Sequence, residues 1–359
     1  MSNLRTALYD SHLARHARMV PFAGWDMPVQ YAGIMDEHRA VRSAAGIFDV
    51  SHMARISFGG TGAEALLEKV FTNAVGTMKD GQVRYGLVCN EDGGTLDDVL
   101  VYRWPYGFAM VANGSNREKI LAWLQKHAGP DVQIVDRTLA TTMVAVQGPK
   151  AAEIVTGLFA DEVTSLKYFF AKATRYRDKP CVVGRCGYTG EDGFEIMLGN
   201  ELGPTLWDEL LAKGATPCGL GSRDTLRLEA AMPLYGHELT EKIDPLQAGL
   251  DWAVKLDKPF IGRDALASAN EAAAHRPKRI GLELEGKRAA REGCILMADE
   301  STPIGFVASV SYAPWIEKSI AMGYVGPRYA AAGITILVDI RGAAVPATVV
   351  PLPFYKRAK

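Results

Sequence analysis

Two adjacent acids, Asp97 and Asp98, stand where the polar turn of EDGGTLDDVLVYR (residues 91–103) runs into an apolar strand. Side chains alternate between faces along a strand, so Asp97 shares a face with Val99 and Val101, and Asp98 with Leu100 and Tyr102. Both faces are apolar, which predicts at least one carboxylate in hydrophobic surroundings. An unpaired buried carboxylate is costly and is kept chiefly where binding or chemistry uses it.

Glu195 is a second acid of this kind. It lies between Phe194 and Ile196, past the turn of GRCGYTGEDGFEI (184–196). Spacing alone reads equally well as a hairpin with a charged tip. A carboxylate inside the strand can accept two parallel hydrogen bonds from a planar N–H/NH2 edge, the fork geometry that also serves guanidinium. Pterins and guanines present such an edge. Arg223 and Arg227 fall four residues apart on one face of the helix expected in SRDTLRLEAAM. One is expected to be structural, bonded to an acid such as Asp224 or Glu229, and the other to meet an anionic or carbonyl-bearing ligand. Tyr85, Tyr168, Tyr188 and Tyr355 are available to sandwich a flat ring.

The elements that must position these residues alternate between strand and helix for about the first 275 residues. Gly62 to Phe71 has helical apolar spacing, and Ser115 with Glu118 reads as a capping box opening a helix through Leu124. TTMVAVQGPKAAEIVTGLF reads as strand, turn and helix with Pro149 near the first helical position. ELGPTLWDELLAKG is a further helix closed by Gly214. Beyond residue 276, RIGLELEG, IGFVASVSY, SIAMGYV, ITILVDIRG and AVPATVV are short alternating segments without helices between them, which predicts a small antiparallel barrel. ASANEAAAHRPKR is the expected linker.

Bulk properties narrow the function classes. Forty basic against forty-one acidic residues leave no global field to hold nucleic acid or an anionic membrane. No apolar run is long enough for a membrane helix and the N-terminus lacks a signal-peptide core, so a cytoplasmic protein is expected. The five cysteines form no C-x-x-C and give no metal signature. His12 and His16 have i,i+4 spacing but no nearby carboxylate ligand, there is no G-x-S-x-G, and Gly219-Leu220-Gly221 is a fragment of a dinucleotide fingerprint. From the residues alone the chain is a multi-domain α/β protein with an acid poised in an apolar setting.

In order and at matching spacing, FAGWDMPVQY (22–31), GIFDVSHM (46–53), GGTLDDVLVYR, VQGPKA, GYTGEDGFE, GLGSRDTLRLEA, DPLQAGLDWAVKLDKPFIGRDAL and PFYKR resemble the T-protein family of the glycine cleavage system, an aminomethyltransferase family. The resemblance implies an α+β multi-domain protein, a three-domain clover-leaf. Two interleaved α+β folate-binding units would occupy 1–275, the second at roughly 53–137, and a small antiparallel β-barrel 276–359. It implies transfer of a one-carbon unit from the S-aminomethyldihydrolipoyl arm of H-protein to tetrahydrofolate as co-substrate, giving 5,10-methylenetetrahydrofolate and ammonia. No metal, nucleic acid or membrane is implied. Residue by residue, the catalytic aspartate falls on Asp98, the pterin-binding glutamate on Glu195, a folate-contacting arginine on Arg223 and a site-lining tyrosine on Tyr355. Met53, Tyr85, Asn113, Tyr168 and Tyr188 match positions around the folate, and Arg227 is given a supporting role. Phe169 and Ser57 depart from the family's usual tyrosine and leucine. Alternative readings within the superfamily are a folate-dependent demethylation partner and a non-catalytic folate-binding regulator; GYTGEDG, in place of a cysteine-containing K-G-C-Y signature, favours the transferase.

Overall fold

A computed structural model of the chain describes residues 2–286 and 290–357. The chain first lays down a three-stranded sheet with its N-terminal strands around Trp25–Gln30. It then contributes strand Gly46–Asp49 to a six-stranded sheet and leaves that sheet at once. Between Ala54 and Asp136 it builds a separate five-stranded sheet, and it returns to the first with strand Thr141–Gln147. The two sheets are therefore interleaved in sequence. Each has its own apolar core, one around Trp207, Phe194 and Val144, the other around Leu67, Phe71 and Met110.

The alternation expected at the paired acids is present. Strand Thr95–Trp104 turns Asp97, Val99 and Val101 into the five-stranded core, where they are almost completely buried. Asp98 and Leu100 lie on the opposite face and are half-buried, while Tyr102 on that face is buried against Phe48 and Val83. GRCGYTGEDGFEI is a hairpin, with strands Lys179–Arg185 and Gly193–Gly199 paired so that Gly184 faces Glu195. Its tip is not a solvated one. Thr189 and Glu191 are buried.

The C-terminal part is a closed barrel of six strands. Five are those expected; the sixth, Ile295–Met297, is three residues long and carries too little alternation to be seen in sequence. Two other expectations change. The helix Arg117–His127 has no side-chain cap; Ser115 sits in a preceding short turn and Asn116, the residue at the cap position, turns its amide to Asp97 instead. The alanine-rich linker is largely helical: helix Arg263–Glu271 is anchored by the buried Leu266. His12 and His16 do not pair, since the helix Tyr9–Leu13 ends before His16; His12 is buried against Asp49 at 2.9 Å and Tyr31 Oη at 2.8 Å, whereas His16 is exposed.

Helix Leu220–Glu229 ties the parts together through two buried ionic knots. At one, Arg42 of helix Ile34–Ser43 donates from Nε and Nη2 to Glu229 Oε2 (3.0 and 2.9 Å) and from Nη1 to Glu191 Oε1 of the hairpin tip (2.9 Å). His38 reaches the same Glu229 oxygen at 2.9 Å, and the Trp315 amide of the barrel donates to Oε1. At the other, Arg227 donates to Asp224, to the fully buried Glu238 at 2.8 Å, and to Ser309 of barrel strand Pro303–Ala313 at 2.7 Å. Arg227 is thus the structural arginine of its pair. Its buried partner is Glu238; Glu229 serves Arg42.

Removing one member of a buried ion pair leaves an uncompensated charge and typically costs about 3–5 kcal/mol, whereas replacing both by apolar residues is often neutral. Arg227→Leu should therefore lower the urea midpoint strongly, and Arg227→Leu with Glu238→Leu should recover most of it. A double variant as unstable as the single one would remove the unpaired Glu238 charge as the cause.

Candidate functional site

The strand with the paired acids, the hairpin with Glu195 and the helix with Arg223 converge on one cavity of ≈ 190 Å³. Met53, Tyr85, Asp98, Asn113, Tyr168, Tyr188, Glu195 and Arg223 all line it. Tyr355 does not. Its ring lies over the Arg42 guanidinium, 3.8 Å from Cζ, and its amide donates to the Glu229 carbonyl at 2.8 Å. The structure places Tyr355 in the knot that holds the hairpin tip, one layer behind the wall.

On the acid side, Asn113 follows directly on strand Gly107–Ala112 and its side-chain amide bridges the two carboxylates. Nδ2 donates to Asp97 Oδ1 at 2.8 Å and to Asp98 Oδ1 at 2.9 Å. Asp97 also accepts from the Asn113 backbone amide at 3.0 Å and from Asn116 Nδ2 at 2.7 Å. Its role is therefore to support the 113–116 segment. Asp98 accepts in addition from Tyr85 Oη at 3.1 Å. Tyr85 comes from the neighbouring strand Val83–Cys89, two positions from Leu87, the residue opposite Asp98, which is the diagonal reach expected of an aromatic side chain. Burial, followed by the charge of its neighbour Asp98, pushes the Asp97 carboxyl up, and the amide donors oppose this. Burial pushes Asp98 above the usual carboxylate range as well, with the Tyr85 and Asn113 donors pulling it back.

On the opposite side, Glu195 is 5% exposed. Among the described residues its side chain takes a single hydrogen bond, from the Cys186 thiol at 3.1 Å. Arg223 sits with its guanidinium 4.8 Å over the Tyr188 ring, and its Nη1 is buried with no hydrogen-bond partner among the described residues. Burial holds its pKa below the ordinary arginine value, while the Glu195 charge acts in the other direction. A buried acceptor short of donors and a buried donor short of an acceptor line the same cavity. Each such deficit costs about 1–3 kcal/mol unless a ligand meets it.

The walls are aromatic and apolar. Trp252, 56% exposed, stacks on Tyr85 with ring centroids 5.3 Å apart and 24° between planes. Phe169, Leu100, Met143 and Leu250 are among the other residues of the lining, as is Cys186. Neither Trp252 nor Cys186 stands out in the sequence. A tryptophan in the loop DWAV and a cysteine two residues before Tyr188 are the only local signals. A second, larger cavity of ≈ 630 Å³ adjoins the first through Met53, Asn113, Tyr188 and Arg223. Among the described residues no cluster of three His, Cys, Asp or Glu is placed to hold a metal ion, and no helix is long and apolar enough to cross a membrane.

Comparison with known proteins agrees with this architecture. The GCVT N-terminal domain family matches residues 8–258 and the glycine cleavage T-protein C-terminal barrel domain family residues 278–356. The chain is 46% identical to an aminomethyltransferase of Rubrobacter xylanophilus, covering 99% of this chain and 95% of that one. It is 43% identical to one from Desulfitobacterium hafniense, with 98% of each covered. A crystal structure of glycine cleavage system aminomethyltransferase T from Bartonella henselae superposes with a TM-score of 0.93 at 33% identity over 99% of both chains. The α+β architecture with its terminal antiparallel barrel is that of this structure. By sequence and by fold, the chain belongs to the glycine cleavage T-protein family of aminomethyltransferases.

Proposed function

We propose that this cavity transfers the aminomethyl carbon of a lipoyl-bound intermediate to tetrahydrofolate, with Asp98 as the catalytic carboxylate and Glu195 and Arg223 as the folate-binding pair. The observation that carries this reading is the complementary deficit at Glu195 and Arg223 between aromatic walls. A flat heterocycle with an N–H/NH2 edge and a neighbouring carbonyl answers both at once. Tyr85, Tyr168 and Tyr188 offer the faces on which it would rest. Tetrahydrofolate supplies the nucleophilic nitrogen that accepts the one-carbon unit, with release of ammonia and the dihydrolipoyl arm.

Asp98 has the environment such a step requires. Its carboxylate opens to the cavity, while Tyr85 and Asn113 fix its plane by donating to one oxygen each. There it can take a proton from the attacking amine and stabilise the positive charge that develops at the transferred carbon. Its raised pKa matches it to proton transfer near neutral pH better than a solvated aspartate. Asp97, held by three amide donors, stays out of the chemistry and keeps Asn113 aimed at Asp98. The lipoylated H-protein of the glycine cleavage system is the partner in this reading, and a cytoplasmic location goes with it.

Asp98→Asn should retain folate binding and lose about 10²–10⁴-fold in turnover, the usual worth of general acid–base assistance. Ammonia release from aminomethylated H-protein measures it, and unchanged turnover would remove Asp98 from its role. The wild-type rate should fall on the acid side at a pH above the ordinary aspartate value, because the ionised form is required and burial raises the pKa.

The same shift has a stability sign. A carboxyl raised on folding binds more protons folded than unfolded between its two pKa values, so stability falls as pH rises through that window. Asp98→Asn should accordingly raise the melting temperature at neutral pH, with the gain vanishing below pH values typical of free aspartate. A gain that persists in acid would point to packing. Glu195→Ala should weaken tetrahydrofolate binding by about tenfold or more, the cost of losing charge-assisted hydrogen bonds. Calorimetric titration gives the number directly, and equal affinity would overturn the assignment of Glu195.

A further inference from the structure

Glu195 is a ligand-facing carboxylate whose single side-chain hydrogen bond, among the described residues, comes from sulfur. Cys186 belongs to the turn of the same hairpin and is 1% exposed. Its Sγ lies 3.1 Å from Glu195 Oε2 and 3.8 Å from the hydroxyl of Tyr102, which is itself fully buried. The backbone of Cys186 is pinned as well, since its carbonyl accepts from Gln147 Nε2 at 3.1 Å. Tyr102 lies on the strand of Asp98, on the same face and four residues further on. A relay Tyr102–Cys186–Glu195 therefore joins the strand that carries the proposed catalytic acid to the hairpin that carries the proposed binding acid.

We propose that Cys186 is a positioning residue for the ligand-binding carboxylate. Its S–H occupies one lone pair of Glu195 Oε2, sets the plane of the carboxylate, and leaves the remaining acceptor sites for a bound ring. The proposal rests on the folate reading above. For the relay to run in this direction, the tyrosine hydroxyl donates to sulfur and sulfur to the carboxylate. The chemistry of the partners favours that order, because an ionised carboxylate only accepts. Burial and the adjacent Glu195 charge push the thiol's pKa well up, so the proton needed for donation stays on sulfur across the working pH range.

A thiol suits this place better than a stronger donor. S–H is a weak hydrogen-bond donor, so it orients the carboxylate while leaving most of its accepting strength to the ligand. A guanidinium in its place would pair with Glu195 strongly enough to compete with the ligand for the same oxygens. Sulfur also fills the base of the hairpin beside Gly184, the cross-strand neighbour of Glu195. A β-carbon at that glycine would stand 3.5 Å from both Cys186 Sγ and the Tyr102 ring, ordinary van der Waals contact, so thiol and ring border Gly184 directly.

The test is a double-mutant cycle in the full-length protein, with tetrahydrofolate binding read by calorimetry under reducing conditions. Cys186→Ala should weaken binding about 3- to 10-fold, the range of a single net hydrogen bond, with kcat at saturating folate unchanged. Cys186→Ser, which keeps a donor, should restore most of the affinity. In a Glu195→Ala background, Cys186→Ala should have no further effect, because no carboxylate is left to orient. A purely structural cysteine would instead lower the melting temperature of the ligand-free protein and weaken binding equally in both backgrounds; that result overturns the proposal. So does unchanged affinity of Cys186→Ala when Glu195→Ala alone has lost binding. Unchanged affinity in Glu195→Ala alone overturns the folate reading beneath it.

Discussion

The site exists because one buried ion pair holds three separate pieces of chain in register. Arg42 and Glu229 lie 187 residues apart in sequence and meet where solvent does not reach either side chain. A buried pair of this kind contributes little net stability, since desolvation offsets most of the attraction. Its effect is on alignment. Arg42 directs its remaining donors to the hairpin tip at Thr189 and Glu191, and Glu229 takes in the barrel through Trp315 and the C-terminal tail through Tyr355. Separating Arg42 from Glu229 would take from each buried charge its ionic partner there. Glu195 at the base of that hairpin and Arg223, on the same helix as Glu229, inherit their positions from this constraint.

Around this frame, the polar groups divide sharply into satisfied and unsatisfied. Asp97 is held by three amide donors from Asn113 and Asn116, and the Asn113 side-chain amide also serves Asp98. Arg227, one helical turn from Arg223, is fully engaged by Asp224, Glu238 and Ser309. Among the described residues, Arg223 differs in that its Nη1 has no hydrogen-bond partner, and the Glu195 side chain takes a single hydrogen bond, from the Cys186 thiol. The contrast between two arginines of one helix face, one saturated and one with an orphaned nitrogen, separates framework from binding site without reference to any ligand.

Much of this is legible in the sequence, and the boundary of what is legible is physical. Period-2 alternation separates Asp97 from Asp98 because it depends on backbone geometry alone. The barrel is visible for the same reason in five of its strands, and the signal fails at Ile295–Met297, where three residues are too few to show a period. The capping box expected at Ser115 and Glu118 does not form, because a long-range partner, Asp97, holds the Asn116 amide that stands at the cap. The Arg42–Glu229 and Arg227–Glu238 pairs, the stacking of Trp252 on Tyr85 and the seating of Tyr355 in the layer behind the cavity all depend on side-chain meetings that only the folded chain brings about. No local pattern encodes such a meeting. Resemblance to a family locates eight of the cavity-lining residues, Asp98, Glu195 and Arg223 among them, but the geometry decides what each one touches there.

The interleaving of the two sheets has a consequence for biosynthesis. The five-stranded sheet draws its strands from Ala54–Asp136, whereas the six-stranded sheet around it cannot be completed until Thr216–Pro217 has been made. At roughly 5–20 residues per second, the inserted unit has a lead of several seconds on the ribosome before the sheet that interrupts itself to accommodate it can close. That unit draws its apolar core almost wholly from its own residues, and Asp98 stands on an interior strand, on the face turned away from that core. The cavity takes walls from both sheets, the helix and the 250–252 segment, so it cannot be complete until residue 252 has been made.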